Sequence, residues 1–287
     1  MKSRNIGIYT MSLPALALMV CFVFIPLAKG IRMSLTNWDG FSQEFSFIGL
    51  DNYRNLFTDR KIIKAIANTF RVGFGDTVLQ NIFGLTYAML LNRKFKGRSV
   101  ARAFIYMPVM ISSLIMGYIW FFIVQYDNGA LNDIVMLLGY PSVDWLGDGS
   151  RAVNFIMVIT SMQFVGQAMV IYLAGLQSIP KDMYEAPDID GANGIQKFFY
   201  ITLPMLKPAI ITTVTLKLIG GLQMYDLVVA LTNGGPGFSS HTISTMINYL
   251  YLNAQNAGYS SALGVFLFLI IMCSTLLANR FMERNGG

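Results

Sequence analysis

Charge is scarce in this chain: 13% of its 287 residues are Asp, Glu, Lys or Arg, while 54% are hydrophobic. A soluble globule of that composition would leave much apolar surface in water, so the chain reads as a polytopic membrane protein. Cysteine is nearly absent as well. Cys21 and Cys273 both lie in apolar runs, so no disulfide framework is implied and both read as packing thiols. No Gly-x-x-x-x-Gly-Lys-Ser/Thr stretch occurs, so the chain has no loop of its own to cradle ATP phosphates. No internal repeat is visible, and no metal-ligand set is nominated. A net charge of +6 raises the question of nucleic acid, but the placement of the charges answers it.

The basic residues fall between apolar segments. Lys2 and Arg4 precede an uncharged run to Ala28, whose apolar part of about 18 residues is enough for a hydrocarbon core of about 30 Å. It is long for a signal peptide and reads as an uncleaved first helix. Spans are expected at about 10–28, 68–91, 103–125, 153–177, 209–231 and 262–279. Residues 29–66 read as a surface loop with a short interfacial helix near Tyr53 to Ile66. Arg71 and Asp76 fall in the first turns of the second span, near enough to the interface for Arg71 to snorkel and hold Asp76 ionised.

Arg93, Lys94, Lys96, Arg98 and Arg102 then mark a cytoplasmic loop, since basic residues hold short loops on that side. Asp127, Asp133, Asp144 and Asp148 mark an outer one. Arg280 and Arg284 end the last span inside. The expected architecture is therefore all-α, with six transmembrane helices, both termini cytoplasmic and a helical cytoplasmic loop at 178–208. Arg54, Arg60, Lys61 and Lys64 fall outside in this topology, offset by Asp51 and Asp59.

The loop Glu185–Pro208, EAPDIDGANGIQKFFYITLPMLKP, is too structured for a plain connector. Ser178 and Pro180 read as helix-start signals. Gly191 reads as a stop, because glycine accepts the left-handed conformation. Ile195, Phe198, Phe199 and Ile201 recur at helical spacing. Pro204 and Pro208 mark the return to the membrane. This pattern resembles the EAA loop in the permease subunits of ATP-binding-cassette importers. Glu185, Ala186, Asp190, Gly191, Ala192, Phe198, Ile201, Leu203, Pro204, Leu206 and Pro208 fall on the family pattern. Pro187 departs from it; it removes a helical bond to the Met183 carbonyl and is expected to kink the helix or delay its start. Thr232-Asn-Gly-Gly-Pro236 and Gly258-Tyr-Ser-Ser-Ala262 are similar to the carbohydrate-uptake class.

The resemblance implies a transport subunit and not an enzyme, in a bacterial or archaeal inner membrane. It implies a second homologous permease, two ATPase subunits that carry the ATP and magnesium, an extracellular or periplasmic solute-binding protein, and a sugar as solute. No cofactor is expected on this chain, and no nucleic-acid partner. Glu185, Ala186, Asp190, Gly191 and Ala192 are the expected ATPase-coupling residues. A rigid helical knob suits the transfer of a rigid-body motion.

Polar groups inside spans nominate the solute path, since a charge at the bilayer centre costs about 2.5–3.5 kcal/mol on insertion scales and so faces a cavity or a partner. Lys217 lies about eight residues into the fifth span, with Gly220, Gly221 and Met224 on its face. Gln163 and Gln167 form an i, i+4 pair, and Gln223 and Tyr225 add donors. In a continuous fifth helix Asp226 points away from Lys217. Importer permeases for glycerol phosphate, peptides or polyamines share the loop and remain open at this point. A secondary transporter, driven by ion-coupling groups, is another class. Gly73-Phe-Gly-Asp76 and Tyr225-Asp226 look like the paired motifs of intramembrane aspartyl proteases, in reversed order.

Overall fold

The computed structural model describes residues 12–189 and 191–284. Regular structure among them is helical, apart from one isolated antiparallel bridge between Thr36 and Phe47. Helix α1 is Ser12–Met33, with a π turn at Val20–Phe24. α2 is Asp51–Leu56 and α3 is Arg60–Asn92. α4 (Arg98–Met110) and α5 (Ser113–Val124) are bent by 96° at their junction. α6 is Ala130–Leu137 and α7 is Gly149–Ser178. α8 is Asp182–Ile189; α9 (Gly194–Met205) and α10 (Lys207–Leu222) meet at 68°. α11 is Asp226–Leu231, α12 is Ile243–Leu252 and α13 is Ala257–Arg284.

Among the described residues three helices, α1, α7 and α13, are each long and apolar enough to cross a bilayer, and the two bent pairs raise this to up to five. α3 has the length, at 33 residues, but Asp76, Gln80 and Asn81 interrupt its apolar character. Two expected spans are broken. The stretch 103–125 is divided at Ile111, which is extended (ψ 136°) after Pro108, and Ser112 caps the new helix at the Ile115 N–H. The stretch 209–231 is divided at residues 223–225, between α10 and α11. The expected short helix near 53–66 is also corrected. α2 ends at Leu56, and residues from Arg60 open the long α3, where the Asp59 carboxylate accepts from the Lys61 N–H at 2.8 Å.

The chain divides into two compact units, one of residues up to 63 with 246–269, the other of 64–245 with the C-terminal residues from 270. In the first, Asn52 donates to the carbonyls of Ser34 and Thr36 at 2.9 Å each, pinning the chain that leaves α1. Asp39 accepts from the Ser42 hydroxyl at 2.5 Å and from the N–H groups of Phe41 and Ser42 at 2.8 Å, and these donors hold its carboxyl down at about 2. Arg54 and Asp51 lie 3.7 Å apart with both side chains exposed, an offset of charge that adds little stability. The Asn256 side chain caps α13 at the Tyr259 N–H, and the Gly258 N–H donates to the Trp38 carbonyl at 2.8 Å.

In the second unit α11 packs on α5. Val72, Met116, Ile156, Leu227 and Val228 form one core between α3, α5, α7 and α11. Ala88, Met169, Tyr172, Leu176 and Leu206 form another, where α3 and α7 meet the α9–α10 bend. Lipid is as apolar as these side chains, so close packing and internal hydrogen bonds do most of the holding. Asn68 donates to the carbonyls of Ser239 and His241 at 2.8 and 2.9 Å, and Thr69 accepts from the Ile243 N–H at 2.8 Å, tying α3 to the chain after the Gly-Gly-Pro turn. Buried Asn132 organises the stretch after α5, accepting from the Val143 N–H and Trp145 Nε1 at 3.0 and 2.9 Å.

Candidate functional site

A cavity of about 310 Å³ in the second unit collects polar groups from several parts of the chain, Ser113 at the start of α5 among them. α3 supplies Asp76 and Gln80, and α7 supplies Thr160, Phe164 and Gln167. α10 supplies Lys217, Gly220 and Gly221, and the break after it supplies Gln223, Met224 and Tyr225. Asp226, at the start of α11, completes that wall.

Lys217 is 5% exposed. Its ammonium donates to Gln167 Oε1 at 2.6 Å and to the Phe164 carbonyl at 3.3 Å, and lies 5.6 Å from the Phe164 ring centre. The long cation is thus folded against α7 and shielded on one side by an aromatic face. Asp76 is 1% exposed; it accepts from Gln80 Nε2 at 2.6 Å and from the Ser161 hydroxyl at 2.8 Å. The two opposite charges therefore face one cavity, each held by neutral partners. Gln80 Oε1 is buried without a hydrogen-bond partner. α3 and α10 come close at Gly73 and Gly221: a Cβ on Gly221 would lie 2.9 Å from Gly73 Cα. At Gly220 a Cβ would meet nothing within 4 Å, so that face is open.

The cavity brings together Lys217, Gly220, Gly221, Met224, Gln167, Gln223 and Tyr225. It does not include Gln163, which is 1% exposed and donates to the Ile111 carbonyl at 2.8 Å, stabilising the break between α4 and α5. Asp76 corrects the expectation of an interfacial carboxylate held by Arg71. Asp76 is deep in the packed unit, while Arg71 is exposed and donates to the Ser150 hydroxyl at 2.8 Å. Asp226 is corrected too: the helix does not run on from Lys217, so the break returns Asp226 to the same cavity. The carboxylate oxygens of Asp76 are occupied by Gln80 and Ser161, not by Asp226, which is not the shared-proton pair of an aspartyl protease.

The loop after α7 is helix, turn, helix. Ser178 is the last residue of α7, its hydroxyl donating back to the Gly175 carbonyl at 2.8 Å, so it closes a helix and does not open one. α8 starts at Asp182 and runs through Pro187; its start is not delayed. Glu185 is exposed on α8. Gly191 has φ 73°, the left-handed turn expected of it, and the Ala192 N–H donates to the Pro187 carbonyl at 2.9 Å. Asp190 lies outside the described residues, and for Ala186 only the helical backbone is described. Asn193 and Gln196 then form a reciprocal capping box that opens α9. Ile195 and Phe199 are 71% and 56% exposed, so half of the apolar spacing faces outward. Tyr184 and Thr202 hydroxyls meet at 3.0 Å and join α8 to α9. α9 leads through fully buried Leu206 into α10, the helix that carries Lys217.

The chain is similar to known proteins. Residues 80–285 match the family described as binding-protein-dependent transport system inner membrane component. The chain belongs to this family. Among relatives of this inner-membrane component, the trehalose/maltose transport system permease protein MalF of Thermococcus litoralis is 34% identical, over 94% of this chain and 91% of that protein. The multiple sugar-binding transport system permease protein MsmF of Streptococcus mutans is 32% identical, over 96% and 95%. A chain of a bacterial ABC transporter for import of the acidic polysaccharide alginate has the same fold, with TM-score 0.84, 24% identity, and coverage of 98% of this chain and 96% of that one. This inner-membrane component is thus a permease subunit of the ABC-transport type.

Proposed function

We propose that this permease forms half of the translocation path of an ATP-driven importer for a sugar or oligosaccharide. The observation that carries the proposal is the cavity: one ammonium, two carboxylates, amides, three hydroxyls and a phenyl face converge beside two glycines in a segment of a membrane family. A neutral polyol needs both donors and acceptors with an apolar face beside them, and this wall offers all three. The named sugar permeases among its relatives support the solute class.

In this account six crossings, with both termini cytoplasmic, comprise α1, α3, the bent pair α4–α5, α7, the broken α10–α11, and α13. A second permease supplies the other wall, a solute-binding protein delivers the sugar outside, and two ATPase subunits bind ATP and magnesium inside. Glu185, Ala186, Asp190, Gly191 and Ala192 seat in an ATPase, and its closure pushes α9. The α9–α10 bend at Leu206 passes that push to Lys217, Gly220 and Gly221.

Vesicles holding the assembled importer test this. Uptake of maltose or of the sugar bound by the delivery protein should need internal ATP and proceed without an ion gradient. Glu185→Lys and Gly191→Val should each leave the protein in the membrane and lower uptake at least tenfold. Uptake driven by an ion gradient alone, or unchanged in both variants, contradicts the proposal.

A further inference from the structure

A second cavity, of about 330 Å³, lies wholly within the first unit. It is lined by Asn52 and Asn55 of α2, by Thr58 and Asp59 just before α3, and by Asn256 and Tyr259 at the cap and first turn of α13. One of these side chains is a carboxylate and none is cationic. Four of them are fixed at one end and leave the other for a ligand. Asn52 is 5% exposed, and its amide donates to the Ser34 and Thr36 carbonyls, so Oδ1 is the end that remains. Asp59 Oδ1 accepts from the Lys61 N–H at 2.8 Å, which leaves Oδ2. Asn256 is turned the other way: its Oδ1 accepts from the Tyr259 N–H at 3.1 Å, which leaves the amide donor. The Thr58 hydroxyl donates to the Asn55 carbonyl at 3.2 Å and keeps its lone pairs.

We propose that this cavity binds one ring of a neutral sugar, with ring hydroxyls donating to Asn52 Oδ1 and Asp59 Oδ2 and a hydroxyl oxygen accepting from the Asn256 amide. A hydroxyl donates and accepts at once, so adjacent hydroxyls match a wall of fixed acceptors with a fixed donor among them. The bond to the Asp59 carboxylate is the strongest of the set, because its acceptor is charged. A metal cation would face the Asn256 N–H donor and a single carboxylate, with Arg60 next to it in the chain. An anion would face that carboxylate with no lining cation to offset it. The cavity has room for roughly ten water-sized groups at about 30 Å³ each, about one sugar ring. Such a site gives an oligosaccharide a hold additional to the cavity around Lys217. The inference rests on Proposed function for the solute class and not for the path.

The test uses the full-length chain with its accompanying subunits but without the solute-binding protein, in a detergent that has no sugar headgroup. Hydrogen exchange is read by mass spectrometry. Glucose and maltose should each slow exchange at the amides of 57–61, and glycine betaine at the same osmolality should not. Asp59→Asn keeps an acceptor for the Lys61 N–H but replaces a charged acceptor with a neutral one. Asn256→Asp keeps the cap of α13 but replaces a donor with an acceptor. Each should raise the glucose concentration for half protection about fivefold, the loss of one hydrogen bond. Asp51→Asn, outside the cavity, should leave that concentration unchanged. So should Gly220→Trp, which fills the cavity around Lys217 and so separates this site from the path. No protection by glucose, or unaltered protection in both Asp59→Asn and Asn256→Asp, overturns the proposal. Protection by calcium chloride in place of glucose does so in favour of a cation, and protection by glycine betaine in favour of an osmotic effect. Loss of protection in Gly220→Trp does so in favour of the path cavity.

Discussion

Lys217 carries most of the chemistry at the scale of single residues. Its ammonium satisfies both Gln167 Oε1 and the Phe164 carbonyl. Lys217→Met keeps much of the side-chain volume but leaves those two acceptors without a donor, at a cost of about 1–3 kcal/mol for each that stays unpaired. The thermal midpoint of the purified chain should fall and uptake should be lost; an unchanged midpoint would mean that the acceptors find water instead. His241 offers a pH test outside the spans. Burial pushes its imidazole below the ordinary 6.5, and Nδ1 lies 2.9 Å from the Thr245 hydroxyl. A base whose folded pKa is lowered contributes stability above its unfolded pKa, and that contribution is lost as pH falls through it. The midpoint should therefore drop from pH 8 to pH 5.5, and His241→Asn should flatten the drop.

Much of this residue chemistry was legible in the sequence, because Lys217, Gly220, Gly221 and Met224 are near one another along the chain. Asp76 was not. Its neighbour in sequence, Arg71, suggested an interface, while the partner that buries it, Ser161, is 85 positions away. One local signal did point inward: Asp76 and Gln80 form an i, i+4 polar pair on a helix with apolar flanks, the same pattern that nominated Gln163 and Gln167.

At the scale of elements, the Gly191 turn and the bulk of α7 follow from local chemistry, glycine at positive φ and a long apolar run. The break at residues 223–225 does not, and the one at Ile111 does so only in part, through Pro108 and the Ser112 cap. Each is held by a remote group: Gln163 donates to the Ile111 carbonyl, and the Thr242 hydroxyl donates to the Met224 carbonyl at 2.8 Å. Apolar composition alone runs straight through both. The Asn193 capping box is the element-level feature most open to test. Asn193→Ala removes the bond to the Gln196 N–H at 2.9 Å and should cost about 1 kcal/mol in the first turn of α9. Hydrogen exchange at the amides of 195–197 should quicken about fivefold, the equivalent of that energy. Exchange at an unchanged rate would show that α9 is held by its neighbours and not by its cap.

In the whole molecule, α8 and α9 are proposed to act as a lever, with the α10 break as its working end. Family membership covers the length of that lever, since residues 80–285 match as one stretch. The fold shared with the alginate importer covers nearly the entire chain. In that reading the solute passes through the cavity around Lys217.

Gly220→Cys measures this most directly, because a Cβ there meets nothing within 4 Å and the position lines the cavity. Cys21 and Cys273, both exposed, are first replaced by serine. In vesicles with internal ATP, a water-soluble thiol reagent should then block uptake, and saturating sugar with its binding protein should slow the labelling at least tenfold. A labelled Gly220→Cys chain that carries sugar at the unlabelled rate would contradict the account.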